Sequence, residues 1–382
     1  MARGDGWHAG GEGATRCRGA SRPLRILFVV STLEPDWSGG IGRVAAGFAR
    51  ELARRGHRVH LAGRSRHGPP GVLPRVRVHA WPGRLGRAGQ IPPLLGLLHR
   101  LRPDVLHFHT ARPHGPPALA AVALRAVRAG PAVILSPYTG TRAHRIGWAG
   151  RAALGRADAV LTSSRWAAEQ MEAAGAPPSR LRVVPPGVDL PEVPERRPEP
   201  LLLFLGRLAP SKGPGVLLEA FARIAADHPR WRLCLAGEGP EAGALRHRAR
   251  ELGLADRVAL PGRVTGAARE AWFARAALAA VPSLHDNFPG ALLELLARGV
   301  PCVAARAGGI PEIAGPEGAV RLVPPGDPGE LAAALRDLLE RPDEREALAQ
   351  AGRRRAEALA WPRVAAELES VYRKLAGGGR GA

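Results

Sequence analysis

The sequence predicts an α/β protein built from two doubly wound parallel-sheet domains in tandem. Three observations carry that prediction. Short apolar runs rich in β-branched residues alternate with helix-periodic segments in both halves of the chain. A proline- and charge-rich stretch, residues 191–200, separates the two series. The length of 382 residues suits two domains better than one.

Taken in order, residues 1–21 are rich in Gly and Arg and lack the continuous apolar run of a secretory signal, so they read as a disordered tail. The first domain is expected over residues 22–190. An apolar run at 24–30 leads into a glycine loop, Ser38-Gly39-Gly40-Ile41-Gly42-Arg43. A helix is predicted from about Val44 to Arg55, stopped by Gly56. Strand, loop, helix and a second strand at 58–62 form a βαβ unit, which implies a parallel sheet buried on both faces. Further strands are predicted at 105–109, 132–136, 159–162 and 181–184. Residues 191–200 hold four prolines and five charges and read as a linker. The second domain is expected over 201–360, with strands at 201–205, 232–236, 258–260, 278–281, 302–304 and 321–323. Helices are predicted near 215–226, 242–252 and 291–297, and a terminal helix and tail over 361–382.

Composition bounds the function. Hydrophobic residues make up 45% and charged residues 23%, ordinary values for a globular chain. No apolar run reaches the ~20 residues that span a bilayer. Cys17, Cys234 and Cys302 are too few and too scattered for a disulfide framework or a zinc module, which points to a reducing cytoplasmic setting. The net charge of +21 is lopsided: residues 1–190 hold 28 arginines against 10 acidic residues, and the remainder 27 basic against 24 acidic residues. The first half is therefore expected to meet something anionic. With 4% aromatic residues and no stacking signature, specific nucleic-acid binding is poorly supported. The glycine loop lacks the G-x-G-x-x-G spacing of a dinucleotide enzyme.

Two clusters carry chemistry. In Gly206-Arg207-Leu208 followed by Lys212-Gly213, a strand ending in Gly admits close backbone approach, and the two cations can converge on one anion. Lys212 is one of only two lysines, the other being Lys374. In Pro282-Ser283-Leu284-His285-Asp286-Asn287-Phe288-Pro289-Gly290-Ala291, Asp286 follows a strand, and free N–H groups at Gly290 and Ala291 would suit a phosphate. Glu294 lies one turn further on, where a carboxylate among leucines needs a partner and can accept from a hydroxyl pair.

These clusters, with Gly237-Glu238-Gly239-Pro240 and Gly308-Gly309-Ile310-Pro311-Glu312, stand in the order found in retaining nucleotide-sugar glycosyltransferases of family 4. The N-terminal glycine loop, Pro185-Pro186-Gly187-Val188-Asp189, Trp361 and Tyr372 agree, so the resemblance runs from about Leu24 to Leu375. It implies the GT-B fold, two Rossmann-like domains facing a central cleft, with the last helix crossing back to the first domain. It implies that Arg207 and Lys212 neutralise the leaving diphosphate, that Glu294 holds the nucleotide ribose and that Asp286 meets the donor sugar. Backbone amides at Gly39 and Gly40 would face the donor phosphate. Strand alternation puts His107 and His109 on one face; His109 resembles the family's sugar-side histidine, with His107 structural. Three residues depart from the pattern: Asp286 is one methylene shorter than the usual Glu, Pro186 replaces Asn, and Tyr138 stands where relatives often carry His.

The resemblance further implies a hexosyl-type donor, the nucleoside diphosphate sugar, as the only small molecule required, with no cofactor. No Asp-x-Asp pair is present, so no metal is expected. The acceptor is expected to be a glycan or a lipid-linked sugar, as in polysaccharide biosynthesis. Docking at an anionic inner membrane face would use residues 84–102, with Leu94, Leu95, Leu97 and Leu98, or residues 142–156, with Arg142, Arg145, Arg156 and Trp148. The alternatives are an epimerase or phosphorylase on the same architecture, and a basic nucleic-acid-binding protein.

Overall fold

The computed structural model describes residues 22–33, 40–65, 71–82, 88–110, 130–138, 146–192 and 196–378. The expected tail at 1–21, Ser38, Gly39, Arg142 and Arg145 lie outside the described residues. The first domain contains β1 (Arg25–Leu33), α1 (Gly40–Arg54), β2 (Arg58–Ser65), β3 (Val76–Pro82), α2 (Ile91–Leu101), β4 (Val105–Thr110), β5 (Ala132–Pro137), α3 (Trp148–Arg156), β6 (Ala159–Thr162), α4 (Arg165–Ala173) and β7 (Leu181–Val183). Its seven strands are all parallel, in the order β3-β2-β1-β4-β5-β6-β7.

The second domain contains β8 (Glu199–Leu205), α5 (Pro214–Ala225), β9 (Arg232–Ala236), α6 (Ala242–Glu251), β10 (Val258–Gly262), α7 (Gly266–Arg275), β11 (Ala276–Val281), α8 (Gly290–Ala297), β12 (Cys302–Ala305), α9 (Ile310–Ala314), β13 (Arg321–Val323), α10 (Pro328–Glu340) and α11 (Pro342–Ala358). Its six parallel strands run β10-β9-β8-β11-β12-β13. In both sheets the strand order reverses beside the first strand, β1 against β4 and β8 against β11. Ligands of open parallel sheets bind at the carboxyl ends beside such a reversal.

Four apolar clusters cover the two faces of each sheet. The strands read most directly are those whose every residue is buried, such as β5, β11 and β12. Two boundaries, one at the cleft and one at the linker, differ from expectation. Residues 40–43, read as loop, form the first turn of α1: early N–H groups of a helix need no intrahelical partner, so glycine costs little there. Strand β8 starts at Glu199, inside the expected linker, because Glu199 pairs with Ala276 of β11. Just before it, Arg196 donates to the carbonyls of Ala276 (2.5 Å) and Gly299, which ties that stretch to the second domain.

The last helix, α12 (Trp361–Gly378), packs on α1 and belongs to the core of the first domain through Trp361, Val364, Leu368 and Tyr372. Where the chain returns, Val188 and Ala360 form a parallel bridge, with Val188 N donating to Leu359 O (3.0 Å) and Trp361 N to Val188 O (3.2 Å).

Candidate active site

A cleft of about 1500 Å³ opens between the carboxyl ends of the two sheets. Gly40, Gly206, Arg207, Lys212, Asp286, Gly290, Ala291 and Glu294 all line it. The order of the elements explains the convergence. Arg207 and Lys212 follow β8, and Asp286 follows its neighbour β11, so the reversal of strand order brings distant segments side by side. Gly308 fixes the loop of Asp286: it adopts φ +56°, and a Cβ there would stand 1.9 Å from the Asp286 carbonyl oxygen. The next amide, Gly309 N, donates to that same oxygen (3.0 Å).

The two cations differ in setting. Arg207 is exposed at the cleft wall, whereas the Lys212 ammonium is paired with the Asp286 carboxylate. Ser283 Oγ lies 3.5 Å from the same carboxylate oxygen. Two helices, α1 and α8, begin on the cleft at Gly40 and Gly290, so their positive dipole ends add to the two side chains.

Glu294 sits on α8, whose Leu292, Leu293, Leu295 and Leu296 are buried. Its carboxylate is gripped from both walls. Arg43 of α1 donates to Oε1 at 2.5 Å across the cleft, and Arg269 of α7 pairs with Oε2. Burial, with Arg43 and Arg298 as like-charged neighbours, pushes Arg269 down to about 10. Sequence reasoning gave neither arginine a role. Arg43 closes the quoted glycine motif and was in view; Arg269 stands in no motif at all.

His109 departs from expectation. It is 1% exposed and does not line the cleft. Its ring packs 4.1 Å from that of His107 and 5.1 Å from Phe28, and burial holds its pKa at about 3, so it is neutral. Tyr138, at the end of β5, lines the cleft instead, its hydroxyl 3.0 Å from His109 Nδ1. The expected alternation holds, but the face shared by the two histidines is the packed one. His107 bonds Tyr372 Oη (2.5 Å) and Ser136 Oγ (2.7 Å), a structural anchor for α12.

A further clamp joins the domains below the cleft. Glu312 of α9 accepts from Arg165 N (2.8 Å) and Trp166 N (3.0 Å), capping α4 of the first domain from the second. The leucines of the expected membrane-facing segment are divided: Leu94 and Leu97 are buried in the core, Leu98 is half-buried, and Leu95 is exposed. In the second such segment, Trp148 at the start of α3 is 85% exposed, beside exposed Arg151 and Arg156. Among the described residues, no helix is long and apolar enough to cross a membrane.

Comparison with known proteins agrees with this geometry. Residues 38–192 match the family described as Glycosyltransferase Family 4, and residues 189–355 the Glycosyl transferases group 1. The MMP alpha-(1->4)-mannosyltransferase of Mycolicibacterium hassiacum is 38% identical over 202 residues, 52% of this chain and 49% of the relative. A D-inositol 3-phosphate glycosyltransferase of Thermobispora bispora is 37% identical over 227 residues, 54% of this chain and 53% of the relative. The match thus spans about half the length of these curated relatives. Among solved structures, sucrose-phosphate synthase from Thermosynechococcus elongatus superposes with TM-score 0.77 at 20% identity, over 93% of this chain and 100% of that one. Anabaena HepE in complex with UDP-glucose gives 0.74 at 18% identity, over 92% and 100%. By its two contiguous family matches and its paired parallel sheets, the chain belongs to the group 1 glycosyltransferases of GT-B fold.

Proposed function

We propose that this protein transfers a hexosyl-type sugar from a nucleoside diphosphate sugar to an acceptor hydroxyl, with retention of anomeric configuration. The observation that carries the reading is the convergence of Arg207, Lys212 and the amino ends of α1 and α8 on the cleft that also holds Asp286 and Glu294. The named activities of the relatives, a mannosyltransferase and a D-inositol 3-phosphate glycosyltransferase, support it, as does UDP-glucose in the HepE complex.

Negative charge grows on the diphosphate as the glycosidic bond breaks, and preorganised positive charge in a water-poor cleft stabilises it. Arg207 and Lys212 supply that charge directly, so the reading requires no divalent cation. When the diphosphate takes the Lys212 ammonium, the Asp286 carboxylate is released toward the hydroxyls of the sugar. Glu294 exchanges its arginines for the ribose hydroxyl pair, leaving Arg43 and Arg269 beside the phosphates. The acceptor hydroxyl attacks the face from which the diphosphate departs, through an oxocarbenium-like state, its proton passing to the departing phosphate oxygen, and closure of the cleft suppresses hydrolysis.

The acceptor in this reading is a glycan or lipid-linked sugar bound to the first domain. Trp148 with Arg151 and Arg156 would dock α3 on an anionic membrane surface from the cytoplasmic side. The test is a panel of UDP-, GDP- and ADP-sugars screened for thermal stabilisation. Products would then be identified by mass spectrometry and their anomeric configuration by NMR. A chain that no sugar nucleotide stabilises, and that transfers no sugar, is not this enzyme.

A further inference from the structure

A continuous polar row runs from the last helix to the cleft. Tyr372 Oη lies 2.5 Å from His107 Nδ1, His107 Nε2 lies 2.7 Å from Ser136 Oγ, and Ser136 bonds the hydroxyl of Tyr138. His109 Nδ1 approaches that hydroxyl from a second side at 3.0 Å. Four of the five groups are buried in the first domain; only Tyr138 lines the cleft.

The donors and acceptors of this row can be assigned in one consistent way. His109 Nε2 is buried with no hydrogen-bond partner among the described residues. A lone acceptor nitrogen is cheaper to bury than a lone N–H, so the proton sits on Nδ1 and is donated to Tyr138 Oη. Along the other branch, Tyr372 O–H donates to His107 Nδ1, His107 Nε2–H donates to Ser136 Oγ, and Ser136 O–H donates to Tyr138 Oη. Both lone pairs of the Tyr138 oxygen are then filled. Its own O–H is then left to donate, and Tyr138 is the member of the row that lines the cleft. Burial keeps both histidines neutral and the Tyr138 phenol protonated, as the assignment requires.

We infer that Tyr138, rather than His109, presents the first domain's hydrogen-bond donor to a sugar hydroxyl in the cleft, and that His109 and Ser136 are positioning residues that aim it. This rests on the proposed sugar transfer. The recognised group is a hydroxyl of either the transferred sugar or the acceptor.

The experiment separates these sources. Affinities for UDP, GDP, ADP and their hexose derivatives are measured for the wild type and Tyr138→Phe, together with acceptor KM and kcat. The Phe ring preserves the packing, so this variant folds. A donor-sugar contact appears as an unchanged affinity for the free nucleotide and an about tenfold loss for the sugar nucleotide. An acceptor contact appears as unchanged donor affinity and an about tenfold rise in acceptor KM. Either result supports the inference. His109→Leu is expected to copy the Tyr138→Phe loss, His109→Asn to recover most of it through its amide N–H, and His109→Leu/Tyr138→Phe to be no worse than Tyr138→Phe alone. Tyr138→Phe indistinguishable from wild type in every arm overturns the inference, as do losses at His109 and Tyr138 that add. A wild type that binds none of these nucleotides and transfers nothing overturns the proposed function itself, and this inference with it.

Discussion

Arg43 Nη1 in the first domain lies 2.5 Å from Glu294 Oε1 in the second, so one carboxylate links the two walls of the cleft. Arg269 holds the other oxygen of that carboxylate from within the second domain. Glu294 is 15% exposed, and a carboxylate so placed is stable as an ion only while paired or hydrogen-bonded. Arginine thus satisfies the group that the proposed donor would satisfy with ribose hydroxyls.

Glu294→Ala should consequently weaken sugar-nucleotide binding at least tenfold and lower the melting temperature of the ligand-free protein, because Arg43 and Arg269 lose their shared partner. Calorimetric titration and thermal melts measure both. Donor affinity equal to wild type would remove Glu294 from the ribose site.

Arg207→Ala and Lys212→Ala should each cut kcat/KM by roughly 10²–10³, the loss expected for one preorganised charge on a developing anion. The two differ in setting. Arg207 is exposed, so its removal should leave stability unchanged, whereas Lys212→Ala strands Asp286 at 11% exposure and should lower the melting temperature. Wild-type turnover in either variant would displace the diphosphate site.

Transfer should survive excess EDTA, since the proposed leaving-group charge is met by Arg207, Lys212 and two helix ends. Activity abolished by chelation and restored by manganese or magnesium would show that a cation shares that task.

How much of this was legible in the sequence depended on what the sequence pattern encodes. Runs such as those of β5 and β11 are apolar throughout because both faces of a parallel sheet are covered, and they were read directly. Strand β3, VRVHAWP, has no such signature: at the sheet edge it leaves Arg77 and Ala80 exposed and His79 half-buried, which breaks the apolar run. Motif order placed Arg207, Lys212, Asp286 and Glu294 at one cleft, because loops after adjacent strands must meet at the carboxyl ends. Period-two alternation put His107 and His109 on one face, but alternation carries no depth. Whether that face is packed or open depends on Phe28, Phe48 and α12, which come from three separate segments. The partnership of Arg43 with Glu294, 251 residues apart, has no local signature.

Close packing at the crossing of the domains gives a stability prediction. The Trp361 indole fills the space beside two glycines: a Cβ on Gly47 would stand 2.1 Å from the ring, and one on Gly187 2.5 Å from it and 2.8 Å from the Trp361 Cα. Gly187→Ala must shift backbone as well as ring, and should cost about 1–3 kcal/mol. Denaturant unfolding measures it, and a variant as stable as wild type would mean that the crossing is loosely packed in solution.

The buried histidines give the pH dependence. Burial is the leading cause of lowered pKa at His57, His60, His79, His107 and His109, reaching about 4 at His60 and about 3 at His109. In the unfolded chain each would titrate near 6.5. Between that value and its folded pKa, each histidine binds a proton only when unfolded, so stability falls as pH falls below about 6.5 and levels off under the folded values. For His109 alone, going from pH 6.5 to pH 5 costs roughly 2 kcal/mol. The window from pH 6.5 to 5 lies above the range in which Asp104 and Glu369, whose pKa values are also lowered, take up protons, so it isolates the histidines. Urea unfolding at fixed ionic strength should show stability rising steadily from pH 5 to pH 6.5 and flattening above it. His60→Leu, which removes one titrating group and its 2.9 Å contact with His79, should flatten that rise. Stability independent of pH across this window, or an unaltered slope in His60→Leu, would mean that these rings reach water in solution and do not resist protonation.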